Sequence, residues 1–370
     1  MRRTLSLVVA GVLAIVVIVT IVVAASGGGG SNDTASQQPL TVVRGVIGSE
    51  KKPFFSDPRV RAAFADAGLD VQVDTAGSRS IANTVDLSKY DFAFPAGTPA
   101  ALKIRTDRGI TTSYVPFFTP MAIATFTPIA QLLERAGVAT DHGGWWSLDM
   151  HAFLDLVAKQ TRWNQLPTNT EYPVSKFVLV TSTDVTTSNS AAMYASIASY
   201  AANGDRVLGN PSQVDDVLDE LTPIFEQQGF TEQSSEAPFE DYLSIGIGKT
   251  PMVMVYESQF VARAASGDGS ITPDMVLMYP DPDILSKHTL VPLSPHGDKV
   301  GRLLQDNPRL QHLAVVYGFR TADPTDFQQF VADHKVQTAP QLLNIVEPPT
   351  YDTLEALINA LDAQLHSSSG

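Results

Sequence analysis

Between Leu40 and Thr98 the sequence repeats one unit, an apolar run that stops at a polar turn and gives way to a helical pattern. Leu40 to Gly48 (LTVVRGVIG) reads as a short buried strand, and Asp57-Pro58 then opens a helix that Gly68 ends. Leu69, Val71 and Val73 alternate with Asp70, Gln72 and Asp74, the period of a half-buried strand, and the strand stops at Gly77-Ser78-Arg79-Ser80 ahead of Ile81. Asp91 to Thr98 (DFAFPAGT) is a third apolar strand leading to a loop. Strand, helix, strand, helix-like connection and strand together predict an α/β fold with a parallel sheet whose faces are both covered.

The rest of the chain supplies a second lobe. Thr111 to Phe126 (TTSYVPFFTPMAIATF) is β-prone but holds Pro116 and Pro120, so it reads as an extended segment that leaves the first lobe. Ile129 to Ala136 and Leu148 to Thr161 carry helical patterns, and Trp145, Trp146 and Trp163 around the second of these are read as core anchors. Phe177 to Val180 reads as a strand that runs into a stretch of Ser, Thr, Asp and Asn, with a helix from Ser190 to Ala202 behind it. First-turn N–H groups have no partner inside a helix, so Asp184, Ser188, Asn189 and Ser190 either cap this one or hold a ligand. Val214 to Gln227 is an amphipathic core helix, and Pro251 to Tyr256, Met275 to Tyr279 and Thr289 to Leu293 are strands. These strands would return the chain to the first lobe. A helix pair around Asn307-Pro308 follows, then a helix from Asp323-Pro324 to His334, then one from Tyr351 to Leu365.

Leu5 to Ala25 is an uncharged, predominantly apolar run behind Arg2 and Arg3, long enough to span a bilayer at about 20 residues. It is expected to be an uncleaved anchor with the remainder outside the cytoplasm; a signal peptide cleaved before Ser26 is the rival reading. Ser26 to Pro39 is a Gly- and Ser-rich tether. The expected division is an anchor over 1–25, a linker over 26–39, a first lobe from 40–119 and 257–320, a second from 120–256, and C-terminal helices over 321–370. A formal charge of −14 without a Lys/Arg cluster after the anchor speaks against a nucleic-acid partner. The absence of cysteine removes any disulfide framework.

Enzymatic signatures are missing. Gly248-Lys249-Thr250 lacks the glycine of a phosphate-binding loop, because Leu243 stands in its place and Pro251 stops the required helix. The seven histidines form no H-x-x-x-H pair, Asp281-Pro282-Asp283 lacks the later ligands of a calcium loop, and no G-x-S-x-G surrounds a serine. No cofactor, metal or enzymatic activity is expected.

Three stretches carry a resemblance. They are Ala76-Gly77-Ser78-Arg79-Ser80-Ile81-Ala82 followed by Tyr90 to Gly97, the strand ending Val255-Tyr256-Glu257, and Met278-Tyr279-Pro280 through His288 to Leu293 followed by Tyr317-Gly318-Phe319-Arg320. Over Leu40 to Arg320 the chain resembles the bacterial extracellular solute-binding proteins of the type 2 periplasmic binding fold, most closely the branch that binds molybdate and similar oxyanions. The resemblance implies two α/β lobes joined by two crossing segments, with a small polar or anionic solute held between them for a membrane permease of the ABC type. It implies Ser49 and Ser78 to Ser80 from the first lobe, Ser188 to Ser190 from the second, and Tyr256 near the hinge. Thr98, Asp184 and Glu257 complete the candidate set. Arg79 departs from the family's small residue there and either adds a charge-assisted contact to an anion or reaches solvent. Asp184 and Glu257 would repel an anion if they faced the cleft, which leaves a polyol, an amine or a protonated oxyanion open. The uncleaved anchor suits a second reading on the same fold, a cell-envelope sensor or assembly protein.

Overall fold

The computed structural model describes residues 39–228, 235–342 and 344–367. The apolar run from Leu5 to Ala25 and the tether up to Gln38 lie outside the described residues; among those described, no helix is long and apolar enough to cross a membrane.

Ten strands organise the described residues: β1 (Thr41–Ile47), β2 (Leu69–Thr75), β3 (Phe92–Phe94), β4 (Tyr114–Phe126), β5 (Ala139–Asp141), β6 (Trp146–Asp149), β7 (Met252–Tyr256), β8 (Met275–Asp281), β9 (Asp283–Pro292) and β10 (Ile345–Val346). Their main path runs β2-β1-β3-β9-β4-β8-β6-β5, with β7 paired to β4 and β10 to β9. β1 lies parallel to both β2 and β3, as the repeated strand-to-helix unit requires. Alternation along β1 and β3 covers both faces. Val43, Ile47, Phe92 and Phe94 enter one small core with Phe54, Phe64 and Phe319, whereas Val46 and Ala93 enter another with Ile81, Ile104 and Val291.

A third and larger core gathers the helices Thr127–Arg135, Met150–Ala158, Asn189–Ala202, Leu218–Glu226 and Tyr351–Ser367 against β4, β6, β7 and β8. Trp146 and Trp163 are buried in it. β4 passes from one region to the other. Its Phe117 packs in a small core and its residues from Met121 to Ala124 in the large one. β9 returns antiparallel to it, with Phe117 opposite His288 and Pro120 opposite Leu285. The register slips between Tyr114 and Phe117, where Pro116 has no N–H to give the ladder.

Two local expectations need correction. Phe177 to Val180 is not a strand: it runs extended beside β7, with a single parallel bridge from Thr181 to Val253. Its side chains at Val178 and Val180 are buried, which is what the apolar pattern records, but its ladder contacts are two isolated bridges, an antiparallel one from Phe177 to Arg162 and the parallel one in which Thr181 exchanges bonds with Met252 and Met254. The sequence also groups 257–320 with the first lobe. In the structure the buried residues from Phe260 to Ile284 pack in the large core, and those from Leu290 to Phe319, Val315 apart, in the small ones. β9 is therefore the return crossing, and β7 and β8 stay beside the second half of β4.

Candidate functional site

Between the parallel strands and the start of the Asn189–Ala202 helix lies a cavity of about 250 Å³. One wall comes from chain ends around β1 and β2, with Ser49, Glu50, Thr75, Gly77, Ser78 and Ser80. The opposite wall is Thr187, Ser188 and Asn189, closed by Ser235 and Tyr256. Six expected residues thus meet in one place: Ser49, Ser78, Ser80, Ser188, Asn189 and Tyr256.

The hydroxyls are tied together. Ser78 Oγ accepts from Ala96 N at 2.9 Å and so fixes the turn after β3 against the turn after β2. Ser190 is buried behind the cavity and links Thr183 Oγ1 at 3.0 Å to Ser188 Oγ at 2.9 Å. Asn189 Nδ2 donates to the Tyr256 hydroxyl at 3.0 Å. Burial, together with the nearby Glu50 charge, pushes the Tyr256 phenol well above its ordinary value, so this hydroxyl stays protonated.

Capping does not explain the polar stretch. Ser188 occupies the N-cap position with extended backbone but makes no side-chain cap bond. Thr187 Oγ1 is buried with no hydrogen-bond partner although its residue lines the cavity.

Four expected residues lie elsewhere. Thr98 opens the Thr98–Arg108 helix and is not among the lining residues. Asp184 turns away: its Oδ1 accepts from Thr186 N at 2.7 Å and Thr186 Oγ1 at 2.6 Å, building the turn that leads into the helix. Glu257 is fully buried, accepting from Arg320 Nε and Nη2 at 2.7 Å each and from the Tyr279 hydroxyl at 2.6 Å. Its carboxylate is spent on the core beside β8 and cannot meet a solute.

Arg79 also points away from the cavity. It bridges the two regions, donating from Nη1 to Thr186 O at 2.8 Å, from Nε to Glu355 Oε2 at 2.7 Å and from Nη2 to Asn359 Oδ1 at 2.8 Å. Alongside it Gly77 meets Thr187 so closely that a Cβ there would fall 2.7 Å from the Thr187 carbonyl oxygen. The Arg79 side chain therefore fastens the two walls at the rim, partly open to solvent, and does not line the cavity.

Sequence reasoning missed Glu50, Lys51 and His288. Lys51 has no exposed surface; its Nζ donates to Glu50, lies 2.9 Å from His288 Nδ1 and sits 4.8 Å over the Phe94 ring. Burial alone would raise the Glu50 carboxyl, but Lys51 and His288 beside it hold it below the usual carboxylate range. Burial lowers Lys51, and burial with the Lys51 charge lowers His288 to about 4. The only sequence signal was the Ser49-Glu50-Lys51-Lys52 turn; His288 is 237 positions away and no spacing rule joins them. Among the described residues no group of three or more His, Asp or Glu side chains is placed to hold a metal ion.

No family model matches the sequence, and neither does any curated protein. The fold is similar to that of the sulfate-binding protein SubI from Mycobacterium tuberculosis, at 16% identity over 88% of this chain and 99% of that one, with a TM-score of 0.51. It is similar as well to apo ferric ion-binding protein A from Pasteurella haemolytica, at 11% identity, 88% and 96% coverage and a TM-score of 0.53. The periplasmic binding protein AfuA from Actinobacillus pleuropneumoniae, solved with exogenous fructose-6-phosphate bound, matches at 11% identity, 89% and 97% coverage and a TM-score of 0.53. Identities this low speak to the fold alone, and the chain has the type 2 periplasmic binding protein fold.

Proposed function

We propose that this chain captures a small polar or anionic solute in the cavity between β1–β3 and the Asn189–Ala202 helix, outside the cytoplasm, for delivery to an ABC-type permease. The observation that carries the reading is the convergence of Ser49, Ser78 and Ser80 from one wall with Ser188, Asn189 and Tyr256 from the other on a single cavity, at the start of a 14-residue helix whose N-cap Ser188 makes no side-chain cap bond. Orphan N–H groups at a helix start, hydroxyls from two walls and a protonated Tyr256 bind a compact polar group without a full counter-charge. Anchoring through the apolar run of Leu5 to Ala25 completes the proposal and would keep the binder beside its permease.

Native mass spectrometry of the full chain tests this first, because a retained solute has a mass that names its class. Joint replacement of Ser188 and Asn189 by Ala should abolish solute-induced stabilisation, worth about 2.7 kcal/mol at a hundredfold excess over Kd, while circular dichroism stays unchanged. Unchanged binding in that variant would remove the cavity from the proposal. Cross-linking in cells separates transport from the sensor alternative, since recovery of a permease supports the first and recovery of signalling or assembly proteins the second.

A further inference from the structure

Thirteen residues line the cavity, and only one of them is charged. That residue is Glu50, whose side chain is 8% exposed. Its carboxylate folds back over Gly48, so closely that a Cβ on Gly48 would collide with both oxygens; the glycine is what lets the group sit there. Glu50 also lines the larger neighbouring cavity of about 750 Å³, which shares Ser49, Thr75 and Ser235 with the first. It therefore stands where the two cavities meet.

The cation that balances Glu50 is out of a solute's reach. Lys51 has no exposed surface and is held from behind by His288 Nδ1 and the Phe94 ring. Arg79, the nearest expected cation, is committed to Thr186, Glu355 and Asn359. A solute in the cavity accordingly meets an ionised carboxylate and no exposed positive side chain from the lining residues. An ionised carboxylate is an acceptor only. A fully deprotonated oxyanion is an acceptor only as well, so the pair gains no hydrogen bond and repels.

We propose that Glu50 sets the specificity of this cavity: the solute presents an O–H or N–H donor to its carboxylate, and a fully deprotonated tetrahedral oxyanion is refused. The inference rests on the solute-binding reading and narrows it to donor-bearing solutes, whether a polar anion that also carries a hydroxyl or ammonium group or a neutral polyol. Lys51 and His288 act as positioning residues, since they touch Glu50 and not the cavity.

The test uses the full chain with sulfate as the acceptor-only probe and with glycerol phosphate and phosphoethanolamine as probes that add hydroxyl or ammonium donors. Affinities come from thermal shift and titration calorimetry at matched ionic strength. Sulfate should leave wild type unshifted, and Glu50→Gln, which replaces an acceptor by a donor amide, should gain sulfate affinity by about tenfold or more. At least one donor-bearing probe should bind wild type and lose about tenfold in the same variant, and which of the two does so identifies the donor. Because Glu50→Gln leaves Lys51 without its carboxylate, the double variant Glu50→Gln/Lys51→Met, which removes both buried charges, carries the sulfate measurement if the single one fails to fold. Sulfate binding to wild type as tightly as to either variant overturns the inference while leaving solute binding intact. Silence of every probe in every variant, with no solute retained in native mass spectrometry, overturns the solute-binding reading together with it.

Discussion

His288 offers the sharpest quantitative test of the buried cluster beneath the cavity. It lies on β9 opposite Phe117, has no exposed surface and is boxed by the rings of Phe319 at 5.1 Å, Phe117 at 5.5 Å, Tyr256 at 6.2 Å and Phe94 at 6.4 Å. Burial first, and then the Lys51 charge, lowers it from 6.5 to about 4, against the smaller opposing pull of Glu50. The unfolded chain therefore binds a proton at this residue between pH 6.5 and about 4 that the folded chain does not. Stability rises with pH wherever the unfolded state holds more protons, so acidification through that window costs stability and pH above it leaves this contribution constant. Two and a half units at about 1.4 kcal/mol each amount to roughly 3 kcal/mol.

Urea unfolding of wild type and His288→Phe at a series of pH values from about 7.5 to about 4 isolates the effect. Phenylalanine keeps the ring contacts and cannot titrate. It also takes an acceptor from Lys51, which lowers the variant's stability at every pH and leaves the difference in slope to His288. Wild type should lose roughly 3 kcal/mol more than the variant across the window. Parallel pH profiles would mean that His288 is protonated inside the fold, and the account of how Lys51 and Glu50 are held would fail with it.

Two further outcomes follow from the contacts that the expected site residues make. Arg320→Ala leaves the Glu257 carboxylate buried without its cation and should cost about 3–5 kcal/mol in urea unfolding, whereas Glu257→Gln/Arg320→Met, which removes both charges, should recover much of that loss. A loss under about 1 kcal/mol for the single variant would show that the pair is not sealed in the core. Gly77→Val places a branched side chain against the Thr187 carbonyl and should push the two walls apart, seen as weaker solute binding and a larger radius of gyration in solution scattering with unchanged far-ultraviolet dichroism. An unaltered radius with unaltered binding would mean that the two turns do not need their close approach.

How much of this was legible in the sequence depended on whether the signal was local. The alternation of Leu69, Val71 and Val73 and the Gly77-Ser78 turn are local, and they locate β2 and one cavity wall correctly. The paired prolines of β4 ruled out a helix for the same reason. Phe177 to Val180 misled because an apolar run reports burial, and a buried segment with only isolated bridges has the same composition as a strand. The side chains of Arg79, Glu257 and Asp184 have types that suit a ligand, but their partners Glu355, Arg320 and Thr186 decide otherwise, and two of those three are distant in sequence. Glu50 was passed over because a carboxylate in a charged turn looks solvated until Lys51 and His288 are seen behind it.

The bridge through Arg79 connects fold to function in a way that no lining residue does. Solute capture between two walls needs those walls to separate, and separation breaks the bonds from Arg79 to Thr186, Glu355 and Asn359. The Arg79 and Glu355 side chains are 27% and 19% exposed, so solvent screens their ion pair and the bridge contributes on the scale of about 1 kcal/mol, not of a locked interface. A bias of that size shifts the population of the closed form severalfold without a solute present, and apparent affinity scales with the fraction already competent. The Tyr351–Ser367 helix that carries Glu355 and Asn359 packs its Leu354, Leu357, Ile358 and Leu361 into the large core, so it holds its end of the bridge rigidly. A C-terminal helix that looked like mere packing in the sequence therefore supplies one side of the contact between the walls, and on the proposed function its core leucines would influence solute affinity through Arg79 without touching the solute.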